Sequence, residues 1–157
     1  MHEGSYAQMI ISSVLDFLKN KNLENVRVKK IKMRIGELSL IDIEALKNAM
    51  EIYSIGTPLE GAQLEVELVK SEFKCRNCGA QWSFRDVYPD LEVNLPILHL
   101  YPHLISEILK CPRCGSSDVE IVKGEEFQIV SIEIENAGEE KANLKGSTPT
   151  NYRGDAK

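Results

Sequence analysis

The chain has 157 residues, of which 43% are hydrophobic and 27% are charged, as is typical of one globular domain or two small ones. Its formal net charge of −5 argues against a nucleic-acid binder, which normally presents a basic face. Charged residues interrupt every apolar stretch before it reaches the length of a membrane span, and the start lacks the basic and apolar regions of a signal peptide. We therefore expect a cytoplasmic protein without membrane or nucleic-acid partners.

The chain begins Met1-His2-Glu3, which places a histidine one peptide bond from the amino terminus. The terminal amine, the His2 backbone nitrogen and the His2 ring nitrogen can close fused chelate rings around one metal ion. Because the amide must lose its proton and the nitrogen field is planar, this chelate favours Ni(II) or Cu(II) over Mg(II) or Ca(II). Methionine is usually removed only before small residues, so we expect Met1 to remain. Many proteins begin Met-His by chance, and the rest of the chain has to decide between the two interpretations.

A helix is predicted directly after this segment. Residues 5–8 have the pattern of a capping box, and apolar residues then recur at helical spacing until the polar run at 19–22. These apolar residues are Tyr6, Ile10, Val14, Phe17 and Leu18. The prediction leaves the first three residues outside the helix, just before its positive end, with a backbone that is free to bind a metal.

Alternating apolar residues predict a strand over 26–35, with a phase slip at 29–30 that suggests a bulge. A turn-bearing loop follows, in which Glu37 is interpreted as a surface charge. Asp42 is then the predicted N-cap of a second helix that ends near Gly56.

Two further strands are predicted, over 64–68 and 127–134, and the segment between them is interpreted as an insertion into one sheet. The fold class is therefore α+β, with two helices on a small three-stranded sheet and an inserted domain that resembles a zinc ribbon. The tail has no apolar periodicity and is predicted to be disordered. The predicted boundaries are 1–72 with 125–136 for the α+β domain, 73–124 for the insert and 137–157 for the tail.

All four cysteines fall in two Cys-x-x-Cys-Gly knuckles, Cys75 with Cys78 and Cys111 with Cys114. In a reducing compartment such pairs bind metal or carry out redox chemistry and rarely form structural disulfides. Four thiolates at tetrahedral corners suit Zn²⁺, and a closed four-cysteine site leaves no open position for a substrate. We therefore predict a structural zinc site without which the insert unfolds.

Two of the three histidines, His99 and His103, lie in the long link between the knuckles, residues 79–110. Either side chain could simply face solvent or satisfy a local backbone group. The link is nevertheless long enough to fold back on the front half of the chain. His99 is therefore the preferred additional metal ligand, ahead of His103. Asp42 already has a capping role that needs no metal.

With its Met-His-Glu start, Gly-Glu-Leu-Ser at 36–39 and the paired knuckles in this order, the chain resembles the HypA family of hydrogenase nickel-incorporation proteins over residues 1–135. The resemblance implies an α+β nickel-binding domain with a zinc domain inserted before the last strand. It also implies a metallochaperone without enzymatic activity. Family members hand nickel, with a HypB-type nucleoside triphosphatase, to the precursor of the large subunit of nickel–iron hydrogenase.

Carried onto this sequence, the resemblance assigns nickel to His2 and the Glu3 backbone, and zinc to the four cysteines. Asp42 stands where an acidic residue is a proposed ligand in some members. The link between the knuckles is longer than in bacterial members. It resembles the link of some archaeal members, where a histidine at the position of His99 joins the nickel site. The predicted nickel site therefore comprises Met1, His2, Glu3 and His99, followed by Asp42 and His103.

The leading hypothesis is a nickel metallochaperone with structural zinc, since no nucleophile–base pair, phosphate loop or paired-carboxylate motif supports an enzyme. The alternative is a rubredoxin-like electron carrier, whose iron lies between similar knuckles, although rubredoxins lack such a helix-rich front half. A third hypothesis is a scaffold that only docks partners through its first helix and zinc domain. The sequence leaves open whether the chain is a monomer or a homodimer.

Overall fold

The computed structural model describes residues 2–87, 89, 109–136 and 149–155. These residues divide between two compact units. The first takes its residues from Met1–Arg34, Ile41–Glu67 and Phe127–Lys157, and the second takes them from Ile35–Leu40 and Leu68–Glu126. The second unit thus includes residues 35–40, 68–72 and 125–126, which the sequence analysis assigns to the α+β domain.

The first helix, α1, spans His2–Asn20 and begins earlier than the capping-box pattern predicted. Ser5 therefore lies inside the helix and does not cap it. Since the first four N–H groups of an α-helix have no intrahelical acceptor, the early start does not commit the N–H groups of His2 and Glu3 to helical hydrogen bonds. The buried face of α1 has the predicted helical spacing and consists of Ala7, Ile10, Ile11, Val14, Phe17 and Leu18.

Strand β1 spans Val26–Gly36 and shows the predicted phase slip. Its buried positions are 26 and 28 before the slip and 31, 33, 35 and 36 after it. A single 3₁₀ turn at Glu37–Ser39 follows, and helix α2 then spans Ile43–Tyr53. Asp42 is its N-cap, as predicted.

The main sheet has four strands in the order β2-β1-β6-β7. Strand β2 spans Gln63–Val69, β6 spans Phe127–Asn136 and β7 spans Pro149–Asp155. The first three strands of this order are those that the sequence predicted. The prediction of a tail without regular structure is wrong for β7, because β6 offers these residues an antiparallel partner.

The second unit contains a three-stranded sheet in the order β4-β3-β5, with a short helix, α3, at Phe84–Val87. Strand β3 spans Glu72–Cys75, β4 spans Gln81–Trp82 and β5 spans Val119–Lys123. Its buried core consists of Phe73, Cys75, Trp82, Phe84 and Cys111. Two of the four cysteines are therefore part of the core itself. No helix among the described residues has both the length and the apolar character needed to cross a bilayer.

Candidate metal centres

The two cysteine knuckles have the same backbone geometry. The N–H of Gly79 donates to the carbonyl of Cys75 at 2.9 Å, and the N–H of Gly115 donates to the carbonyl of Cys111 at the same distance. Both glycines have a left-handed backbone, with φ of 78° and 77°. A residue with a Cβ atom adopts this conformation only with strain, which explains why each Cys-x-x-Cys is followed by glycine.

The four sulfur atoms form one compact cluster. The Sγ atoms of Cys75 and Cys114 are 3.6 Å apart, as are those of Cys78 and Cys111. All four lie within 4.8 Å of one another, and none is in a disulfide. Because Zn–S bonds are about 2.3 Å long, a tetrahedral zinc site has sulfur–sulfur edges of about 3.8 Å. The cluster therefore fits zinc, and these four cysteines would hold it as a closed structural site.

Hydrogen bonds to sulfur further prepare the cluster for a cation. Amide N–H groups near each knuckle donate to a sulfur at 3.3–3.5 Å, and such donors stabilise a thiolate. These pairs are Cys78 N–H to Cys75, Arg113 and Cys114 N–H to Cys111, and the Asn77 side-chain amide to Cys114.

The pKa values of two of the thiols are shifted in opposite directions. The Asn77 side-chain amide and the Ser116 N–H lower the pKa of the Cys114 thiol to about 6. At Cys78 a hydrogen bond with the Ala80 backbone opposes the shift, but desolvation and the neighbouring sulfurs raise the pKa to about 11. Metal binding must therefore displace the proton that the raised pKa of Cys78 retains.

At the other predicted site, two of the candidate residues contact each other. The Asp42 N–H donates to Oε2 of Glu3 at 3.2 Å, and Oδ1 of Asp42 accepts from the Ala45 N–H at 3.1 Å. Although burial opposes ionisation, hydrogen bonds from the Glu3 and Asp42 backbone hold the pKa of the Glu3 carboxyl below its ordinary value. An ionised Glu3 side chain thus connects the first turn of α1 to the start of α2.

The remaining nickel candidates cannot be placed in the same way. Met1, His99 and His103 lie outside the described residues, and the structure describes the backbone of His2 but not its side chain. Nickel ligation by these residues therefore stays a prediction. Only Glu3 and Asp42 of the six are brought together within the described part of the chain.

Glu37 is not the surface charge that the sequence suggested. It is 7% exposed, and its Oε1 accepts hydrogen bonds from the Ser71 N–H at 2.9 Å and the Ser71 hydroxyl at 2.6 Å. Its Oε2 lies 3.5 Å from Nε of Arg85, and the Ser71 Oγ in turn accepts from the Phe84 N–H at 2.9 Å. The carboxylate therefore joins three segments of the second unit. No local sequence pattern could have predicted these partners of Glu37, because they are distant in the chain.

Gly36, in the same motif, is required by close backbone packing and not by an unusual φ. Its N–H donates to the Glu126 carbonyl at 2.8 Å, and a Cβ atom on Gly36 would lie 1.9 Å from the Gly124 carbonyl oxygen. No side chain fits at this distance. The Gly-Glu pair at 36–37 thus fixes the loop within the second unit through both its backbone and its carboxylate.

We expect Glu37→Ala to lower the free energy of unfolding of the second unit by about 3 kcal/mol, because it leaves buried donors of Ser71 unsatisfied and removes the ion pair with Arg85. Urea denaturation followed by Trp82 fluorescence measures this change. The control is Glu72→Ala in β3, whose carboxylate forms a partly exposed ion pair with Lys123 at 3.8 Å. This change should cost less than about 1 kcal/mol. Equal losses in both variants would contradict the role of Glu37.

The fold and the cysteine cluster together define an α+β metal-binding protein with a structural zinc module. The chain belongs to the HypA family, whose model is described as "Hydrogenase/urease nickel incorporation, metallochaperone, hypA" and matches residues 1–134. The hydrogenase maturation factor HypA of Ignicoccus hospitalis is 55% identical over 139 residues, which are 88% of this chain and 100% of that protein. That of Pyrococcus furiosus is 39% identical over 141 residues, 89% of this chain and 100% of that protein.

Solved structures share the fold. The solution structure of the Ni metallochaperone HypA from Helicobacter pylori is similar with a TM-score of 0.50 and 21% identity, over 83% of this chain and 94% of that one. A second solution structure of a HypA protein has a TM-score of 0.53 and 20% identity, over 87% and 98%. The predicted family and α+β fold class are confirmed. The family consists of metallochaperones and not of enzymes, and nothing favours the rubredoxin-like alternative.

Proposed function

We propose that this protein binds Ni(II) at its amino terminus and delivers the ion for the maturation of nickel–iron hydrogenase. The observation that carries the proposal is the family match, which begins at the first residue and includes both the Met-His-Glu start and the two knuckles. In this proposal zinc and nickel have separate ligands. Zinc holds the second unit together, and nickel is the cargo of the first.

The proposed nickel ligands are the terminal amine of Met1, the backbone and ring nitrogens of His2, the Glu3 backbone nitrogen and the His99 ring. Two observations on the first unit support this site. The N–H groups at the start of α1 need no helical acceptor, and the ionised Glu3 side chain places negative charge beside the first turn. Asp42 is the next candidate for a nickel ligand, because the hydrogen bond from its N–H to the Glu3 carboxylate holds it beside the first turn of α1.

Nitrogen ligands alone would not distinguish nickel from copper, since Cu(II) binds such sites more tightly. We infer that selectivity comes from geometry and from the metal supply of the cell. A site completed by His99 also suggests a release step. Docking of a partner that withdraws His99 would leave an incomplete chelate and weaken the hold on nickel.

We infer that the recipient is the precursor of the hydrogenase large subunit and that a HypB-type nucleoside triphosphatase assists the transfer. The curated relatives are named hydrogenase maturation factors, which supports a partner in this pathway. We place the transfer in the cytoplasm, where the four free cysteines would remain reduced.

The test is a calorimetric nickel titration of untagged protein with its native amino terminus. A second protein carries an acetyl group on its amino terminus, which removes the terminal amine from the chelate and leaves every side chain unchanged. We expect a loss of about tenfold or more in nickel affinity. Equal affinity in both proteins would contradict the amino-terminal chelate. Undetectable nickel binding by the native protein would instead support the scaffold hypothesis.

A further inference from the structure

The strand at one edge of the main sheet lies outside the region that defines the family. The family match ends at residue 134, whereas β7 spans Pro149–Asp155. β7 is the last strand in the sheet order and pairs antiparallel with β6, from Gln128 opposite Asp155 to Glu133 opposite Pro149. Over residues 1–134 alone, β6 would therefore be the outer strand of this sheet.

The two paired strands differ in their intrinsic tendency to form a strand. β6 has the sequence Phe-Gln-Ile-Val-Ser-Ile-Glu-Ile-Glu-Asn, in which β-branched and aromatic residues predominate. β7 contains proline, asparagine, glycine and aspartate, which are depleted in strands. The pairing therefore depends mainly on β6, which acts as a template. A row of backbone N–H and C=O groups on such an edge accepts any extended segment of suitable sequence.

We propose that the outer edge of β6 is a docking site for an extended peptide segment of a partner protein. β7 occupies this edge within the same chain, and the partner segment must displace it. The edge thus has two states, one closed by β7 and one open to the partner.

The charge of β6 indicates the chemistry of that segment. β6 contains two glutamates and no basic residue. Glu135 forms an ion pair with Lys29 at 3.9 Å, whereas Glu133 has no cationic partner among the described residues and lies opposite Pro149. A segment that places lysine or arginine opposite Glu133 would gain a cross-strand ion pair that β7 cannot offer. The partner segment is therefore extended, rich in β-branched residues, free of proline and basic near its amino-terminal end.

The connection between β6 and β7 makes β7 a tethered competitor. It comprises residues 137–148, which is long for a hairpin connection. Loop closure becomes only slowly less favourable with length, so β7 still reaches β6 in its own chain. A tether of this kind gives an effective concentration on the order of millimolar, which a good strand-forming partner can overcome.

The first test asks whether β7 covers β6 in solution. The variant Thr150→Pro with Asn151→Pro removes two adjacent N–H groups, one of which must face β6, because N–H groups alternate along an antiparallel pair. Its control is Thr150→Ala with Asn151→Ala, which retains both groups. We expect hydrogen exchange of the β6 amides in 128–133 that face β7 to become about tenfold faster or more in the proline variant only. Unchanged exchange would overturn the proposal.

The second test asks whether the opened edge accepts a strand. The probe is a fluorescent, blocked peptide of sequence Lys-Val-Thr-Val-Thr-Val-Tyr, and a matched probe has Glu in place of Lys. We expect the lysine probe to bind the proline variant at least about tenfold more tightly than the native chain or the alanine control. The glutamate probe should bind the proline variant more weakly than the lysine probe.

Three results would overturn the proposal. They are equal binding of the lysine probe to the native chain and the proline variant, absence of binding to the proline variant, and equal binding of the two probes. A proline variant that dimerises and excludes the probe would assign the edge to a second copy of the chain, which also contradicts a peptide partner. Zinc content and the circular dichroism of the helices test whether each variant is folded. Both should equal those of the native chain, because the substitutions lie outside the family region.

Discussion

Cys75→Ser should abolish zinc binding and unfold the second unit of this protein, while the helices of the first unit persist. The Cys75 side chain is fully buried in the core that contains Phe73 and Trp82, so its sulfur contributes to both the metal site and the packing. Zinc bound by a site of this kind contributes roughly 10–16 kcal/mol, which exceeds the stability of most small domains. We therefore expect the metal site and the core to be lost together.

Two measurements follow this loss. Metal analysis of the purified variant should find almost no zinc, and the fluorescence of Trp82, the only tryptophan of the chain, should shift to the red as its core opens. Arg76→Ala is the control in the same knuckle. The Arg76 side chain forms an exposed ion pair with Asp118, so its loss should leave both readouts near native. Full zinc content or an unshifted spectrum in Cys75→Ser would contradict a structural zinc site.

The second large effect is expected for His2→Ala, which should weaken nickel binding by about a hundredfold or more because the site loses the His2 ring nitrogen and the chelate ring that it closes. Zinc content and the thermal unfolding of the protein should not change. All four zinc ligands lie in the second unit, whereas His2 lies at the start of α1 in the first. Alanine is also a better helix former than histidine, so the substitution does not weaken α1.

Two further histidine variants test which other ring nitrogens bind nickel. His99→Ala should reduce nickel affinity less than His2→Ala and should change the nickel absorption spectrum, whereas His103→Ala should have little effect on either. Nickel affinity that survives His2→Ala would reject the amino-terminal chelate. An unchanged spectrum in His99→Ala would remove that residue from the ligand set, and loss of zinc in His2→Ala would contradict separate roles for the two sites.

The features that sequence reasoning predicted are those whose cause is local. Asp42 caps α2 with a hydrogen bond that spans three residues, and each knuckle closes within four residues around a glycine. The buried faces of α1 and β1 likewise follow from periodicity within one element. Such signals lie within a short window of sequence, so they can be interpreted without knowing the tertiary structure.

The features that escaped sequence reasoning depend on distant partners. β7 contains few strand-forming residues, and only its pairing with β6 makes it a strand. Glu37 is buried because Ser71 and Arg85 provide its partners, and neither is near it in sequence. The early start of α1 has a similar origin, since the contact between Glu3 and Asp42 adds to the favourable position of an acidic residue at a helix start.

The insertion of the zinc module also has a consequence for the order of events during synthesis. The main sheet needs β6 beside β1, yet β6 follows both knuckles in the chain and therefore emerges from the ribosome after them. The last zinc ligand is Cys114 and β5 ends at Lys123, so the whole module precedes β6, which begins at Phe127. Domains begin to fold as they leave the ribosome, so the module can bind zinc and fold while its host still lacks a strand. A cell short of zinc would therefore accumulate chains in which an unfolded loop separates the two halves of the first unit.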